Sequence, residues 1–409
     1  LVKVTSRLTR NTTALLVSNV GSAGLSFLLS VLIGRALGKD GLGVYSTALA
    51  WIAPLSLAAD FGLGTLITRD VAQDAAAASE YLHSTTWVRL WLGGGLTLAV
   101  VLLAPFLSRD PAVQRGVQIS APLIIIMPFF GAFTAVFRAR QVMAPIAWLN
   151  LGMLVAQVAL TLLVFLLGGD VIMALIVNTA TSAGQLAAAW WVWRRWFYDD
   201  HAVGTWRAMS LPLMPLLRRA MPFAVAAVLA ALQARVGTIL LERLTDTGSV
   251  GYYTAATRFV EAGRTIPNAL FGALFPALAA LAADPPQLEG LFRRVMLGLS
   301  GFGIAAGIIC TGLALPILAL TYGKDFLPAS VVLQVAIWSL LPSVLRGART
   351  LYWYARQREG WVNVITVVML VLQIGFSLAL IPPYGALGVA LVSLMVEGIG
   401  LVLIWRPPR

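Results

Sequence analysis

The chain has 409 residues, 59% of them hydrophobic and only 11% charged, with a formal net charge of +12. Soluble domains carry about 25% charged residues, so this chain lacks the polar surface of a soluble protein and is read as an integral membrane protein. The positive excess raises nucleic acid as a partner, but its distribution along the chain, described below, excludes the need for one.

The basic opening LVKVTSRLTRN precedes an apolar run too long for a cleaved signal peptide. Spans one and two are predicted at 11–37 and 42–68. Asn19, Ser22, Ser26 and Ser30 form a stripe on the first, which suits cavity lining and close helix packing equally. Asp60 lies deep in the second, one turn after Ser56, and fits an ion pair, a protonated packing group or a coupling-ion site. Spans three to six follow at 84–107, 117–137, 143–167 and 171–193. The longest polar segment, Arg194 to Arg219, comes next. Spans seven to twelve are predicted at 217–243, 250–281, 292–320, 327–351, 361–381 and 384–405. Arg235 lies deep in span seven. Pro54, Pro267 and Pro276 are expected to kink spans two and eight, because proline removes a helix hydrogen bond.

Span eight is unusual. It reads GYYTAATRFVEAGRTIPNALFGALFPALAAL, with Arg258, Glu261 and Arg264 inside it, followed by Asn268. A charge at mid-bilayer costs about 2.5–3.5 kcal/mol on insertion scales, so it faces protein or water. Arg258, Glu261, Thr265 and Asn268 step by three or four residues and share one helix face, with Arg264 at its margin. Two readings follow: an internal salt-bridge ladder, or a cavity face whose surplus arginine receives an anion. Guanidinium binds phosphate through paired planar donors. Glu397 in the last span has no charged neighbour in sequence and is assigned a structural role.

Basic residues sort by loop. With the N-terminus inside, the outer side holds Arg35, Lys39, Arg109, Arg115, Arg243 and Lys324, while Arg235, Arg258 and Arg264 lie within spans. The other twenty of the 29 basic residues, Arg89 and Arg346 among them, fall at cytoplasmic positions. This bias follows the positive-inside rule and predicts both termini in the cytoplasm.

The chain also repeats itself. GVYSTA at 43–48 matches GYYTAA at 251–256, and ARQ at 139–141 recurs at 355–357. Six spans return a chain to the same side, so the two halves are expected to be parallel lobes: 1–193, a linker at 194–219, and 220–409. A pseudo-two-fold axis then runs along the membrane normal.

The stretch GRALGKDGLGVYSTALAWIAPLSLAADFGLGTLITRDVAQ resembles the opening of the polysaccharide-biosynthesis (Wzx-type) oligosaccharide flippases. LERLTDTGSVGYYTAATRFVE and the ending IPPYGALGVALVSLMVEGIG resemble the same family, which belongs to the superfamily of multidrug/toxin extruders and the lipid II flippase. The resemblance implies an all-α protein with twelve transmembrane helices in two six-helix lobes around a central cavity, lined mainly by helices one, two, seven and eight. It implies translocation of undecaprenyl-pyrophosphate-linked oligosaccharide by alternating access in a bacterial or archaeal cytoplasmic membrane, with membrane lipid and polysaccharide polymerase machinery as partners. Alternatives are a multidrug cation antiporter of the same superfamily and a non-transporting polymer-export subunit. The expected cavity residues are Arg258, Glu261, Arg264, Asn268, Arg235, Asp60 and Asn19. Arg35 and Arg69 are candidate phosphate contacts on the way in or out, and each also suits an interfacial anchor.

No enzyme is expected. HExxH, CxxC and P-loop patterns are missing, the outer loops are short, and Cys310 is the single cysteine. No metal, cofactor or catalytic residue is assigned; the energy source is a coupling ion, the membrane potential or product removal.

Overall fold

A computed structural model of the protein describes residues 2–74, 77–196, 213–280, 285–356 and 358–406. Among the described residues the regular structure is entirely helical. The elements are α1 (Val2–Asp60), α2 (Leu63–Gln73), α3 (Ala78–Leu107), α4 (Pro111–Ser120), α5 (Leu123–Ala139), α6 (Ala144–Leu166), α7 (Val171–Trp196), α8 (Leu213–Leu244), α9 (Thr247–Ala280), α10 (Pro285–Gly312), α11 (Ala314–Thr321), α12 (Ala329–Ala336), α13 (Leu340–Ala355), α14 (Glu359–Tyr384) and α15 (Ala386–Trp405). Of the expected linker, residues 197–212 lie outside the described residues.

Among the described residues, ten helical segments are long and apolar enough to cross a bilayer. The first, Val17–Asp60, has 44 residues. At 1.5 Å per residue it is about twice the length that a hydrocarbon core of about 30 Å requires. Its one non-helical residue, Gly38 (φ 68°, ψ −168°), divides it where the sequence places a loop between spans one and two. The remaining expected span, the eighth, is α9, which carries Arg258, Glu261 and Arg264. Large apolar side chains lie open all along the helices: Trp91 is 76% exposed, Phe106 74% and Leu320 78%. Such surface is tolerated only against lipid. The chain is a multi-pass membrane protein.

Helices α1 and α9 run on through Pro54, Pro267 and Pro276, and a break follows α1 at Phe61 (φ 50°) and Gly62 (φ 69°). A side chain on Gly62 would lie 2.5 Å from the Ala224 nitrogen, so backbone contact with α8 as well as positive φ requires glycine there.

The chain divides into two compact units, neither continuous in sequence. Unit 1 comprises 1–29 and 48–231; unit 2 comprises 30–47 and 232–409. The packing partition is therefore not the one drawn at the polar linker. The reason is that α1 and α8 are long enough to meet different neighbours at their two ends. Gly21 of α1 faces Leu151, while Gly34 faces Tyr322; α8 meets Gly62 near Ala220 but Val389 at Gly237.

Unit 1 has a core of Leu63, Leu66, Ile67, Val71, Tyr81, Val88, Ala135, Val136 and Leu216, from α2, α3, α5 and α8. In unit 2 the repeated glycines meet their counterparts. A Cβ on Gly43 would lie 1.8 Å from the Thr247 carbonyl, and one on Gly251 would lie 2.0 Å from the Lys39 carbonyl. Each glycine thus touches the residue four before the other. This reciprocity is the mark of a local two-fold relation. Ala48 and Ala256, also matched in the repeat, are fully buried. The ARQ repeats begin at the last residues of α5 and α13.

Candidate functional site

In unit 2 the charged face of α9 is assembled from local and distant partners. Arg258 Nη1 donates to Glu261 Oε2 at 2.8 Å, one helical turn on. Both stay accessible, with side chains 27% and 47% exposed. Arg258 Nε is buried without a partner. Arg264 does not continue the ladder. Its Nη2 lies 3.8 Å from Glu397 Oε1 on α15, and its own Nε is likewise unpartnered. Glu397 is held mainly by Arg346 of α13, whose Nε and Nη2 donate to its two carboxylate oxygens at 2.8 and 3.2 Å. This paired-donor geometry is the strong form of the arginine–carboxylate contact.

Tyr253, hydrogen-bonded to Ser393, lies within the electrostatic reach of Arg264, Glu261 and Arg235. Arg235, on α8, and Asn268, on α9, are exposed. Arg258 and Glu261 act on Tyr322, which shares a 2.9 Å hydrogen bond with Ser30 and an edge contact with Phe259. Among these side chains four arginines (235, 258, 264 and 346) face two glutamates (261 and 397). The sequence placed Arg258 and Glu261 on one face of α9, where the two pair, and Arg264, Glu261 and Arg235 all act on Tyr253. The sequence missed Arg346 as a member, because the partner it holds is 51 residues away and no helical period links them. The available signal was Glu397 itself, an isolated carboxylate in an apolar helix that had to find a cation.

Arg35, also in unit 2, is engaged at the end of α11. Its Nε donates to the Thr321 carbonyl at 2.6 Å and its Nη2 to the Leu320 carbonyl. It neutralises the unpaired carbonyls and negative pole of a helix C-terminus. The side chain stays exposed.

Unit 1 arranges its charges differently. Asp60 Oδ1 accepts from Arg89 Nε at 3.0 Å and Nη2 at 2.8 Å, and Arg89 Nη1 donates to Thr85 at 2.6 Å. Asp60 Oδ2 accepts from the Gly64 amide at 3.0 Å and so caps the start of α2. Arg89 is 1% exposed. Counted in sequence among the cytoplasmic cations, it is instead the buried partner of Asp60. Asn19 of α1 is exposed.

At the end of α2, Arg69 Nε pairs with Asp70 at 2.9 Å, and its guanidinium lies 5.8 Å from the Phe223 ring centre. Asp70 also accepts from Tyr81 at 2.6 Å and from Arg219 at 2.6 Å. Burial opposes the charged carboxylate, but the Tyr81 and Arg69 hydrogen bonds and the charges of Arg219 and Arg69 prevail and hold its pKa below the ordinary 3.8. Arg69 and Arg219 keep about half of their side-chain surface open, at 47% and 49%. No group of three or more histidine, cysteine or acidic side chains that would hold a metal occurs among the described residues.

The family model described as polysaccharide biosynthesis protein matches residues 8–282. The chain belongs to the polysaccharide biosynthesis protein family. A capsular polysaccharide biosynthesis protein, CapF of Staphylococcus aureus, is 24% identical over 191 residues, which are 44% of this chain and 46% of CapF. The match thus spans about half of that relative. Among solved structures, the lipid II flippase MurJ in an inward closed conformation aligns with a TM-score of 0.79 at 15% identity, covering 95% of this chain and 86% of MurJ. An inward-facing multidrug resistance MATE family transporter of the MOP superfamily aligns with a TM-score of 0.78 at 15% identity, covering 95% and 93%. The fold of this family member is the two-lobed helical fold of those transporters.

Proposed function

We propose that the protein is a flippase carrying an undecaprenyl-pyrophosphate-linked oligosaccharide across the cytoplasmic membrane for polysaccharide assembly. The observation that carries the reading is the excess of guanidinium over carboxylate on and around the α9 face. Four arginines against two glutamates leave room for a doubly charged anion, and the Nε groups of Arg258 and Arg264 still lack acceptors. A cation antiporter of the same fold would need the reverse balance. Membership of the polysaccharide biosynthesis family supports a saccharide-carrying substrate, and the likeness to transporter folds supports a mechanism of alternating access. In this reading the sequence halves 1–193 and 220–409, joined by 194–219, are the moving lobes. Both termini lie in the cytoplasm, and polymerase machinery takes the product.

Arg258 receives the pyrophosphate, with Arg264 and Arg235 beside it. Glu261 holds Arg258 in place until the anion arrives and exchanges for it. Arg346 keeps Glu397 from competing fully for Arg264. The energy source is an ion gradient, the membrane potential or product removal; one charge crossing 100 mV is worth about 2.3 kcal/mol.

The test is translocation by the purified protein in liposomes, with complementation of a flippase-deficient strain beside it. Arg258→Ala is expected to abolish flipping while the protein remains inserted and abundant, and Arg258→Lys to restore it in part, because a point charge lacks the planar fork. Wild-type flipping by Arg258→Ala/Glu261→Ala would remove the phosphate role. The topology is checked separately: a cysteine at Gly204, with Cys310 replaced, should resist impermeant thiol reagents in intact cells.

A further inference from the structure

One arginine of unit 2 takes no part in that site. Arg349 of α13 has its guanidinium carbon 4.4 Å from the ring centre of Tyr352, 5.0 Å from Trp353, 5.0 Å from Trp405 and 5.4 Å from Phe292. These rings come from the ends of three helices, α10, α13 and α15. The cage is itself braced. Trp353 Nε1 donates to the Ile404 carbonyl at 2.8 Å, tying the end of α15 to α13, and Phe292 and Tyr352 pack at 5.0 Å. Phe292, Tyr352 and Trp353 are buried, whereas Trp405 is 47% exposed.

Aromatic faces attract a guanidinium through its flat sides. They leave its N–H edge, which needs acceptors in the plane. The Tyr352 hydroxyl acts on the guanidinium, and Nε is buried with no acceptor. No carboxylate lies within ion-pair distance of Arg349 among the described residues. Arg356 has its guanidinium carbon 5.3 Å from the Tyr352 ring centre and is exposed. Arg293 and Arg406, next in sequence to Phe292 and Trp405, are exposed as well. Glu289 acts on Arg349 only through space. The cluster is therefore positive, aromatic and short of acceptors, at one end of three membrane helices.

We propose that this cage is a binding site for the phosphate of an anionic glycerophospholipid from the surrounding bilayer. The phosphate oxygens take the free N–H edge of Arg349 and the guanidinium of Arg356. Trp405, half in the open, lies against the glycerol and upper acyl chain, as indole does at membrane interfaces. Basic pockets between transmembrane helices are suited to such headgroups. A free inorganic anion would gain nothing from the exposed indole and the lipid-facing Val402 beside it.

The test uses the full chain in mild detergent and does not depend on transport. Native mass spectrometry with dioleoyl-phosphatidylglycerol should show one tightly retained lipid, with phosphatidylcholine held at least tenfold more weakly. Arg349→Gln should weaken phosphatidylglycerol binding about tenfold or more and leave phosphatidylcholine unchanged. Arg356→Gln, on the exposed side where folding is not at stake, should weaken it several-fold. The extra thermal stabilisation that phosphatidylglycerol gives the wild type over phosphatidylcholine should vanish in Arg349→Gln. A purely structural cage predicts instead equal destabilisation in both lipids with unchanged lipid retention by Arg356→Gln, and that result would overturn the proposal. Displacement of the lipid by millimolar inorganic phosphate would overturn the lipid assignment too. The same measurements on Arg258→Ala should match the wild type, which separates this site from the transport reading.

Discussion

Each unit contains a cluster of charge within its helices, and the two are built on opposite principles. In unit 1, Asp60 and Arg89 form a close pair, with Arg138 in electrostatic reach of the same carboxylate; Arg89 is 1% exposed and has hydrogen bonds at Nε, Nη1 and Nη2. In unit 2, the α9 cluster is open, holds more cations than anions and leaves guanidinium nitrogens without acceptors. A buried charge is tolerable only when paired and hydrogen-bonded, so the first cluster is complete as it stands. In the proposed reading, the second is completed by an anion. Charge within a membrane helix thus marks function less by its presence than by what it still lacks.

The contrast is sharpest for Arg89. Arg89→Ala strands the Asp60 carboxylate among buried neighbours and should cost about 3–5 kcal/mol, seen as loss of folded protein after detergent extraction. Asp60→Asn added to that variant should recover part of the loss. If Arg89→Ala melts like the wild type, the pair is not structural and the comparison fails.

Glu397 is the intermediate case. Glu397→Gln removes the carboxylate that Arg346 grips with two donors and should lower stability by about 1.5–3 kcal/mol, read by thermal unfolding. It also releases Arg264 and should tighten binding of pyrophosphate analogues. Weaker analogue binding would place Glu397 with the substrate-holding groups rather than against them.

At Arg258 stability and function should separate. Its pair with Glu261 is part-exposed, so Arg258→Ala should change stability by no more than about 1 kcal/mol while flipping is lost. Equal losses of folding and flipping would return this cluster to the class of Asp60 and Arg89.

The smallest effect concerns pH. The Asp70 carboxyl titrates below its ordinary 3.8 in the folded protein. Its contribution to stability is complete above pH 3.8 and fades as the pH falls through the lowered value. The melting temperature of the wild type should therefore hold from pH 7 to about pH 5 and drop in stronger acid. Asp70→Asn should melt lower at neutral pH and show a shallower acid slope; parallel profiles would exclude Asp70 as an acid-sensitive tie.

Most helix positions were legible in the sequence because length and apolarity alone decide what can cross a bilayer. The expected spans 143–167 and 384–405, for example, are α6 (Ala144–Leu166) and α15 (Ala386–Trp405). The repeat was legible for a stricter reason. Gly43 and Gly251 sit where a backbone meets a carbonyl with no room for a side chain, so the composition there has no freedom. The period of α9 likewise placed Arg258 and Glu261 on one face, since residues three apart are neighbours on any helix.

Partners across long separations were not legible. The Asp60–Arg89, Arg264–Glu397 and Arg346–Glu397 contacts depend on which helices pack together, and a span of membrane helix offers a similar apolar surface on many sides. The break at Phe61–Gly62, and the sharing of α1 and α8 between two packing units, were decided the same way. The sequence by itself determined what must be buried in lipid and where charge is costly. The tertiary structure decided which of those charges are satisfied, because a counter-charge is supplied by whichever helix lies alongside and not by the residues next in line.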